Sequence, residues 1–168
     1  MSHNTDPDAI QRLLDDRAVE RFLALEARLA DEGQYKAWEG LWTDDALYWV
    51  PANDDNADPL RQVSYIYDNR ARITSRIDQI LTGTRHAQNP ASRLRRVLSN
   101  LEVDYGENGV VNAAANFMLM EIRHGEQRLW AGRTLYSLRR EGDSFRMQCK
   151  KVLLADNAVP IRTLAFLI

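Results

Sequence analysis

The sequence predicts an α+β fold in which helices come first and a long antiparallel sheet follows. Apolar residues recur at helical spacing up to about residue 81, whereas from Ser92 onward they alternate with polar residues. Short glycine-containing turns at residues 107–109, 124–125 and 141–143 separate four alternating segments, as in consecutive β-hairpins. Helices followed by a run of strands is the layout of an α+β protein.

The composition is that of an ordinary globular protein. Of the 168 residues, 45% are hydrophobic and 27% are charged, which supplies enough apolar material for a buried core. We therefore expect one domain over residues 1–168, with the polar and acidic residues 1–8 flexible. The formal net charge of −2 argues against binding of nucleic acid or of an anionic membrane through bulk electrostatics.

The sequence also predicts a cytoplasmic location. Cys149 is the single cysteine, so no intrachain disulfide can form and a reducing compartment is favoured. No apolar run reaches about 18 residues, the length that a membrane-spanning helix needs. The first residues lack the basic-then-apolar order of a signal peptide.

The first helix is predicted from Ala9 to Ala30. Asp6 and Pro7 form its start signal, because a carboxylate caps the helix and the missing proline N–H costs nothing in the first turn. Gly33 supplies a C-terminal stop. The apolar residues at helical spacing are Ile10, Leu13, Leu14, Ala18, Phe22, Leu25 and Leu29.

A short second helix is predicted from Gln34 to Trp42. Its aromatic residues Tyr35, Trp38 and Trp42 fall on one helical face. Aromatic side chains at this spacing favour core packing over a ligand cage.

A tight acidic turn at residues 44–45 and a first strand are predicted next. Ala46–Val50 is rich in aromatic and β-branched residues, and Pro51 ends the strand. Trp42 and Trp49 are expected to close the core, and the two aspartates to cap the turn rather than serve as a general base.

Asp68 is predicted to cap a third helix from about Asn69 to Leu81. Its apolar residues lie on one stripe, which is typical of a helix that packs on a sheet. That stripe consists of Ile73, Ile77, Ile80 and Leu81.

Four long strands complete the predicted sheet. In the last of them, Phe145, Met147 and Cys149 are expected on one face, and Arg146, Gln148 and Lys150 on the other. The four strands are Ser92–Tyr105, Val110–Arg123, Gln127–Arg140 and Ser144–Ala155.

The final segment, residues 158–168, is an apolar tail. Chain termini are normally polar and frayed. We therefore expect the tail to be hidden, either against its own sheet or against a neighbouring subunit.

Residues that could carry chemistry are sparse. The three histidines His3, His86 and His124 show no metal-ligand spacing. A Rieske cluster needs two cysteines and two histidines, which one cysteine cannot supply. The nucleophile-elbow, P-loop and dinucleotide-binding motifs do not occur. The sequence therefore predicts no catalytic residue, no cofactor-binding residue and no metal ligand.

The segment from Leu41 to Pro51 resembles the cone-shaped α+β fold of the NTF2-like (cystatin-like) superfamily, which includes ketosteroid isomerases. That resemblance implies a long curved antiparallel sheet wrapped around N-terminal helices. In the isomerases an aspartate just before the strand-ending proline is the base, and the resemblance places this position on Val50, which cannot accept a proton. A dehydratase-like, isomerase-like or cyclase-like enzyme with His86 and Tyr48 as acid and base stays open as an alternative, as does a small-ligand-binding module.

Two further segments resemble the small (beta) subunit of aromatic-ring-hydroxylating dioxygenases. Residues 65–70 read Tyr-Ile-Tyr-Asp-Asn-Arg, and residues 82–100 contain, in order, Thr-Gly, a histidine, a proline, Ser-Arg-Leu-Arg-Arg and Ser-Asn. That family shows the same succession at the start of its third helix and first long strand. With residues 23–31 and 42–51, the resemblance covers nearly the whole chain.

This resemblance implies a structural subunit of an oxidoreductase. In the family, the large (alpha) subunit holds a Rieske [2Fe–2S] cluster and a mononuclear Fe(II), and NADH-derived electrons drive cis-dihydroxylation of an arene. Small subunits associate as trimers, typically in an α3β3 heterohexamer. The expected partners are therefore the large subunit and further copies of this chain, and the aromatic substrate stays open.

Six residues are candidates for subunit contacts. Arg93 and Arg95 lie on one face of a strand and Arg96 on the other, which is poorly suited to tracking phosphates. Arginine forks suit carboxylates at interfaces, although a simply solvated strand edge stays open. The six candidates are His86, Arg93, Arg95, Arg96, Phe166 and Ile168.

Overall fold

Within the described residues, three helices pack against one face of a six-stranded sheet. The computed structural model describes residues 6–56, 58–82, 91–106, 109–157, 161, 164 and 166–168. The predicted α+β class is confirmed. The elements are α1 (Pro7–Asp31), α2 (Tyr35–Glu39), β1 (Trp42–Pro51), β2 (Ser64–Asn69), α3 (Arg70–Leu81), β3 (Arg93–Tyr105), β4 (Val110–Arg123), β5 (Glu126–Glu141) and β6 (Ser144–Leu154).

The strands lie in the order β2-β1-β6-β5-β4-β3. Strands β3 to β6 are the four predicted long strands, paired antiparallel as consecutive hairpins. Gly125 and Gly142 occupy two of the hairpin turns with φ of +79° and +58°, where a residue with a Cβ is strained. Strand β1 instead pairs parallel with β6, so the first strand of the chain lies beside the last.

Helix α1 begins as predicted. The Asp6 side chain accepts a hydrogen bond from the backbone N–H of Asp8, at 3.1 Å, and Pro7 is the first helical residue. Gly33 follows the helix with φ of +70°. The C-terminal half of α1 packs against β3 and β6.

The predicted second helix is too long. Helix α2 ends at Glu39, and Trp42 is the first residue of β1. Residues 44–45 are likewise not a turn between helix and strand, because they lie inside β1. The register of β1 against β6 shifts between Trp42 and Leu47, so this acidic segment forms an irregular stretch of strand.

The sequence did not predict β2. Its residues pair antiparallel with β1, and the cap of α3 falls on Asn69, whose side chain accepts a hydrogen bond from the Arg72 N–H. Asp68 is instead a buried strand residue that accepts a hydrogen bond from Arg76 Nε at 2.6 Å. Of the predicted stripe, Ile73 and Ile77 are fully buried.

The prediction that Lys150 points outward is wrong. The register of β6 against β5 shifts between Met147, opposite Leu138, and Cys149, opposite Ser137. This bulge inserts one residue and reverses the alternation beyond it. Phe145 and Met147 face the core as predicted, but after the bulge Lys150 also faces the core.

The apolar tail is buried against the chain's own sheet. Of its described apolar residues, Leu164, Phe166, Leu167 and Ile168 are at most 9% exposed, and Ile161 is half-buried. The Phe166 ring packs edge-on against Trp130 of β5, with centroids 5.6 Å apart. Of the two predicted locations, the chain's own sheet is therefore the one observed in the single chain.

Candidate functional site

A buried ion pair occupies the interior between the helices and the sheet. Lys150 Nζ of β6 lies 2.8 Å from Glu26 Oε1 of α1, and each side chain is 1% exposed. The indole N–H of Trp38 donates to the same oxygen at 2.6 Å. The Lys150 ammonium also lies 5.7 Å from the ring centroid of Tyr48. Aromatic faces therefore replace water around the cation.

Each member of the pair favours the charged form of the other. Burial raises the pKa of the Glu26 carboxyl, but the nearby Lys150 and Arg96 cations outweigh burial, so this pKa lies below its ordinary value. Burial lowers the pKa of the Lys150 ammonium, and the Glu26 carboxylate offsets part of that effect. A cation held by a salt bridge and without access to water is poorly placed to act as a base.

A second buried ion pair joins α1 to β3. Arg96 Nε lies 2.7 Å from Asp31 Oδ1, with side-chain exposures of 4% and 7%. Another guanidinium N–H of Arg96 donates to the backbone carbonyl of Leu167 at 2.8 Å. Arg96 therefore fixes the apolar tail as well as the helix.

Tyr48 closes the interior from the β1 side. Its hydroxyl donates to the Ile168 carbonyl at 2.7 Å and accepts from the Ile168 N–H at 3.0 Å. The side chain is fully buried, and burial raises the pKa of the phenol well above its ordinary value. The proposed acid–base role of Tyr48 would therefore require the tail to leave.

The interior as a whole supports packing rather than proton transfer. Val50, at the position that the resemblance assigns to the isomerase base, is fully buried in the apolar cluster. Among the described residues, Glu26 Oε2 is the one buried carboxylate oxygen without a hydrogen-bond partner. The same residues contain no group of three or more His, Cys, Asp and Glu side chains placed to hold a metal ion.

The expected core role holds for Trp42 but not for Trp49. Trp42 is 1% exposed and its ring packs 5.3 Å from that of Trp38. Trp49 lies on the opposite face of β1, where Lys151 Nζ sits 4.1 Å from its ring centroid. Strand alternation places adjacent side chains such as Tyr48 and Trp49 on opposite faces.

The predicted interface residues fall into two groups. Arg93 and Arg95 are exposed on the sheet face that points away from the helices. Arg96, Phe166 and Ile168 are buried within the single chain, and His86 lies outside the described residues. That any of the six contacts another subunit stays a prediction.

Beside Arg93 and Arg95 runs an apolar surface that the sequence analysis missed, here called the outer strip. The β3–β4 register sets Arg93 opposite Ile122, and Arg95 opposite Met120. The signal was present in residues 117–122, Phe-Met-Leu-Met-Glu-Ile, where apolar residues stand at both strand phases. The outer strip consists of Val97, Met118, Met120, Ile122 and Leu129, which are 37 to 67% exposed.

Comparison with known proteins identifies a family. The family model of the ring hydroxylating beta subunit matches residues 25–160. The chain is 32% identical to the toluate 1,2-dioxygenase subunit beta of Pseudomonas putida over 147 residues, or 84% of this chain and 91% of that protein. It is 30% identical to the anthranilate 1,2-dioxygenase small subunit of Acinetobacter baylyi, over 84% of this chain and 90% of that protein.

A solved structure agrees with the sequence comparison. The beta subunit of the benzoate 1,2-dioxygenase from Burkholderia mallei superimposes with a TM-score of 0.73 at 25% identity, covering 89% of this chain and 95% of that chain. Across the described residues, no helix has the length and apolar content to span a membrane.

Proposed function

The chain belongs to the family of ring-hydroxylating dioxygenase beta subunits, and on that basis we propose that it is the structural small subunit of a multicomponent aromatic-ring dioxygenase. Its role is to support the assembly that carries the reaction, without turnover of its own. We propose that residues 1–168 act as one domain in the cytoplasm.

The observation that carries the non-catalytic role is the filled interior. The space between helices and sheet holds the Glu26–Lys150 pair and the apolar tail, and the Tyr48 hydroxyl and the Arg96 guanidinium are both engaged by the tail backbone. A catalytic pocket needs room for substrate and a group free to exchange a proton. Around the Glu26–Lys150 pair and Tyr48, the described interior offers neither without rearrangement.

The chemistry then belongs to a large subunit. We propose that this partner holds a Rieske [2Fe–2S] cluster and a mononuclear Fe(II), and that NADH-derived electrons reach it through separate proteins. The assembly adds both atoms of O₂ to an arene to give a cis-dihydrodiol. The relatives named above are dioxygenases of toluate, anthranilate and benzoate, so an aromatic carboxylate is the first substrate class to test.

The outer strip supports the proposal of subunit contacts. Five large apolar side chains in adjacent rows, with Arg93 and Arg95 beside them, form the kind of exposed patch that marks a protein interface. We propose that this face contacts a neighbouring subunit in a β trimer within an α3β3 assembly. Arg96, Phe166 and Ile168 would contribute indirectly, because they are buried residues that stabilise the subunit whose surface forms the interface.

Co-expression with a large subunit tests the proposal. The neighbouring gene is the first source, and Cys-x-His and Cys-x-x-His spacing in its product would mark a Rieske domain. We expect the two chains to co-purify, iron to be found with the large subunit, and diol formation from an aromatic carboxylate to require both chains.

Purification of the chain by itself supplies the opposite outcome. A monomer that never joins an iron protein, and that alone isomerises, dehydrates or cyclises a substrate, would show that the chain is a stand-alone enzyme. Stoichiometric iron in the chain purified alone would also contradict the proposal.

A further inference from the structure

The N-terminal half of α1 exposes apolar side chains that do not pack against the sheet of its own chain. Ile10, Leu13 and Leu14 are 42, 69 and 59% exposed. In this half of the helix, the side that faces the ends of β3 and β5 is instead polar. There Asp15 accepts from Arg140, and Asp16 accepts from the Tyr105 hydroxyl, each at 2.7 Å. Packing within the described part of the chain therefore does not account for the three exposed residues.

Ile10 and Leu13 begin a regular seam along α1. Starting at Ile10, the positions alternate by three and four residues, which is the spacing that keeps one helix face against another helix. Two large apolar residues come first, two charged residues lie in the middle, and two small residues come last. We call this row the α1 seam: Ile10, Leu13, Arg17, Glu20, Ala24 and Ala27.

The seam is complementary to itself when reversed. In an antiparallel pair of α1 helices related by a two-fold axis between residues 18 and 19, Leu13 meets Ala24 of the other copy. In the same register Ile10 meets Ala27, and Arg17 meets Glu20. Large side chains thus face small ones, and opposite charges face each other. The two-fold axis makes each contact occur twice.

Next to Ala24 and Ala27, a groove beside α1 can receive Ile10 and Leu13 of the second copy. A groove of about 570 Å³ lies between α1 and β3, and Glu20, Ala24 and Ala27 form part of its α1 wall. Leu98 and Leu101 of β3 contribute apolar side chains to its lining, which also includes charged residues such as Arg28 and Arg95. Leu13 and Ile10 of a second copy would enter this groove as knobs enter holes.

The charges in the middle fit the same arrangement. In the single chain, Arg17 and Glu20 pair with each other across one helical turn, and their side chains are 58% and 55% exposed. An exposed pair of this kind adds little to the stability of one chain. Across a helix–helix contact, the same two residues can form two reciprocal pairs that fix the register.

We propose that α1 of one copy packs antiparallel against α1 of a second copy through the α1 seam. The contact is separate from the outer strip, which lies on the opposite face of the sheet. It therefore does not rest on the proposed function, which is tested by co-purification with an iron protein.

Sedimentation equilibrium of the full-length chain tests the proposal. Leu13→Glu should weaken self-association by at least about tenfold, because it places a carboxylate against the apolar Ala24 side chain of the other copy twice per contact. Leu60→Glu is the matched control, since Leu60 is an 88% exposed loop leucine away from the seam, and it should sediment like the original chain. Equal circular dichroism spectra and unfolding midpoints would show that both variants are folded.

Mixing two charge variants tests the register. Arg17→Glu and Glu20→Arg should each weaken self-association, because each variant places like charges opposite each other. A mixture of the two should associate again, because every cross-copy pair is then of opposite sign. Loss of the pair within one helix would not be rescued by mixing.

Two results would overturn the proposal. One is a chain whose association is unchanged by Leu13→Glu; if that variant also no longer co-purified with the large subunit, the seam would be assigned to that subunit. The other is a mixture of the charge variants that fails to associate.

Discussion

Lys150 Nζ and Glu26 Oε1 lie 2.8 Å apart in the interior, although the two residues are separated by 124 positions in the chain. Their contact joins the last strand to the first helix. It exists because the β6 bulge turns Lys150 toward the helices. The pair therefore depends on the register of β6. In turn it stabilises that register, because a shifted β6 would leave Glu26 as a buried charge without its Lys150 partner.

Lys150→Met is expected to destabilise the protein strongly. Removing one member of a buried ion pair leaves an uncompensated charge, which typically costs about 3 to 5 kcal/mol. Urea unfolding at pH 7 would measure this loss. Glu26→Leu combined with Lys150→Met should recover much of it, because neither member of this pair is then left as a buried charge without its partner.

Lys151→Met is the neighbouring control. Lys151 lies on the opposite face over the Trp49 ring, and a contact of this kind is worth about 0.5 to 1 kcal/mol. If Lys150→Met cost no more than Lys151→Met, the buried pair would not have the role assigned to it.

Protonation of the Glu39 carboxylate should make the protein less stable in acid. Burial raises the pKa of the Glu39 carboxyl, but hydrogen bonds from Thr74, Arg70 and Lys36 outweigh burial and hold this pKa at about 2. The carboxyl has a pKa of about 4.3 in the unfolded chain, so its contribution is complete above that value and is lost as the pH falls toward 2. The shift corresponds to about 3 kcal/mol.

The Glu39→Gln variant checks this assignment. The difference in unfolding free energy between pH 7 and pH 2 should shrink by about 3 kcal/mol, because glutamine does not titrate. Asp44→Asn removes an exposed carboxylate and serves as the control for the loss of one negative charge. An unchanged profile for Glu39→Gln would refute the prediction.

Phe166→Ala should loosen the tail. The Phe166 ring is 4% exposed and packs on Trp130, and truncation of a buried phenylalanine costs about 3 to 5 kcal/mol. Phe166→Leu keeps most of the volume and should cost clearly less. Hydrogen exchange at the Leu167 and Ile168 amides would report the loosening, and unchanged exchange in Phe166→Ala would show that the ring does not fix the tail.

Met120→Glu should separate assembly from folding. Met120 is exposed in the outer strip next to Arg95, so the substitution should change unfolding free energy by less than about 0.5 kcal/mol. It should nevertheless reduce trimer formation or co-purification with the large subunit. Leu60→Glu is again the exposed control. Normal assembly of Met120→Glu would remove the outer strip from the proposed interface.

Much of the fold was predictable because it rests on local patterns. The caps and apolar spacing of α1 and the alternation of β3 to β6 depend on neighbours in the chain, and their predicted bounds agree closely with those observed. Strand β2 was missed because its short segment from Ser64 to Asn69 becomes a strand by pairing with β1. The parallel contact between β1 and β6 was equally invisible, since it joins segments about a hundred residues apart.

The candidate site shows the same division. By itself, the sequence determined the fold class, the family resemblance and the lack of a recognisable catalytic motif, because these follow from residue types and short spacings. Only the tertiary structure decided that Lys150 is buried against Glu26 and that the tail fills the interior above Tyr48. One inserted residue in β6 reverses which side chains face the core, and periodicity cannot reveal such a register shift, because it is set by pairing with β5.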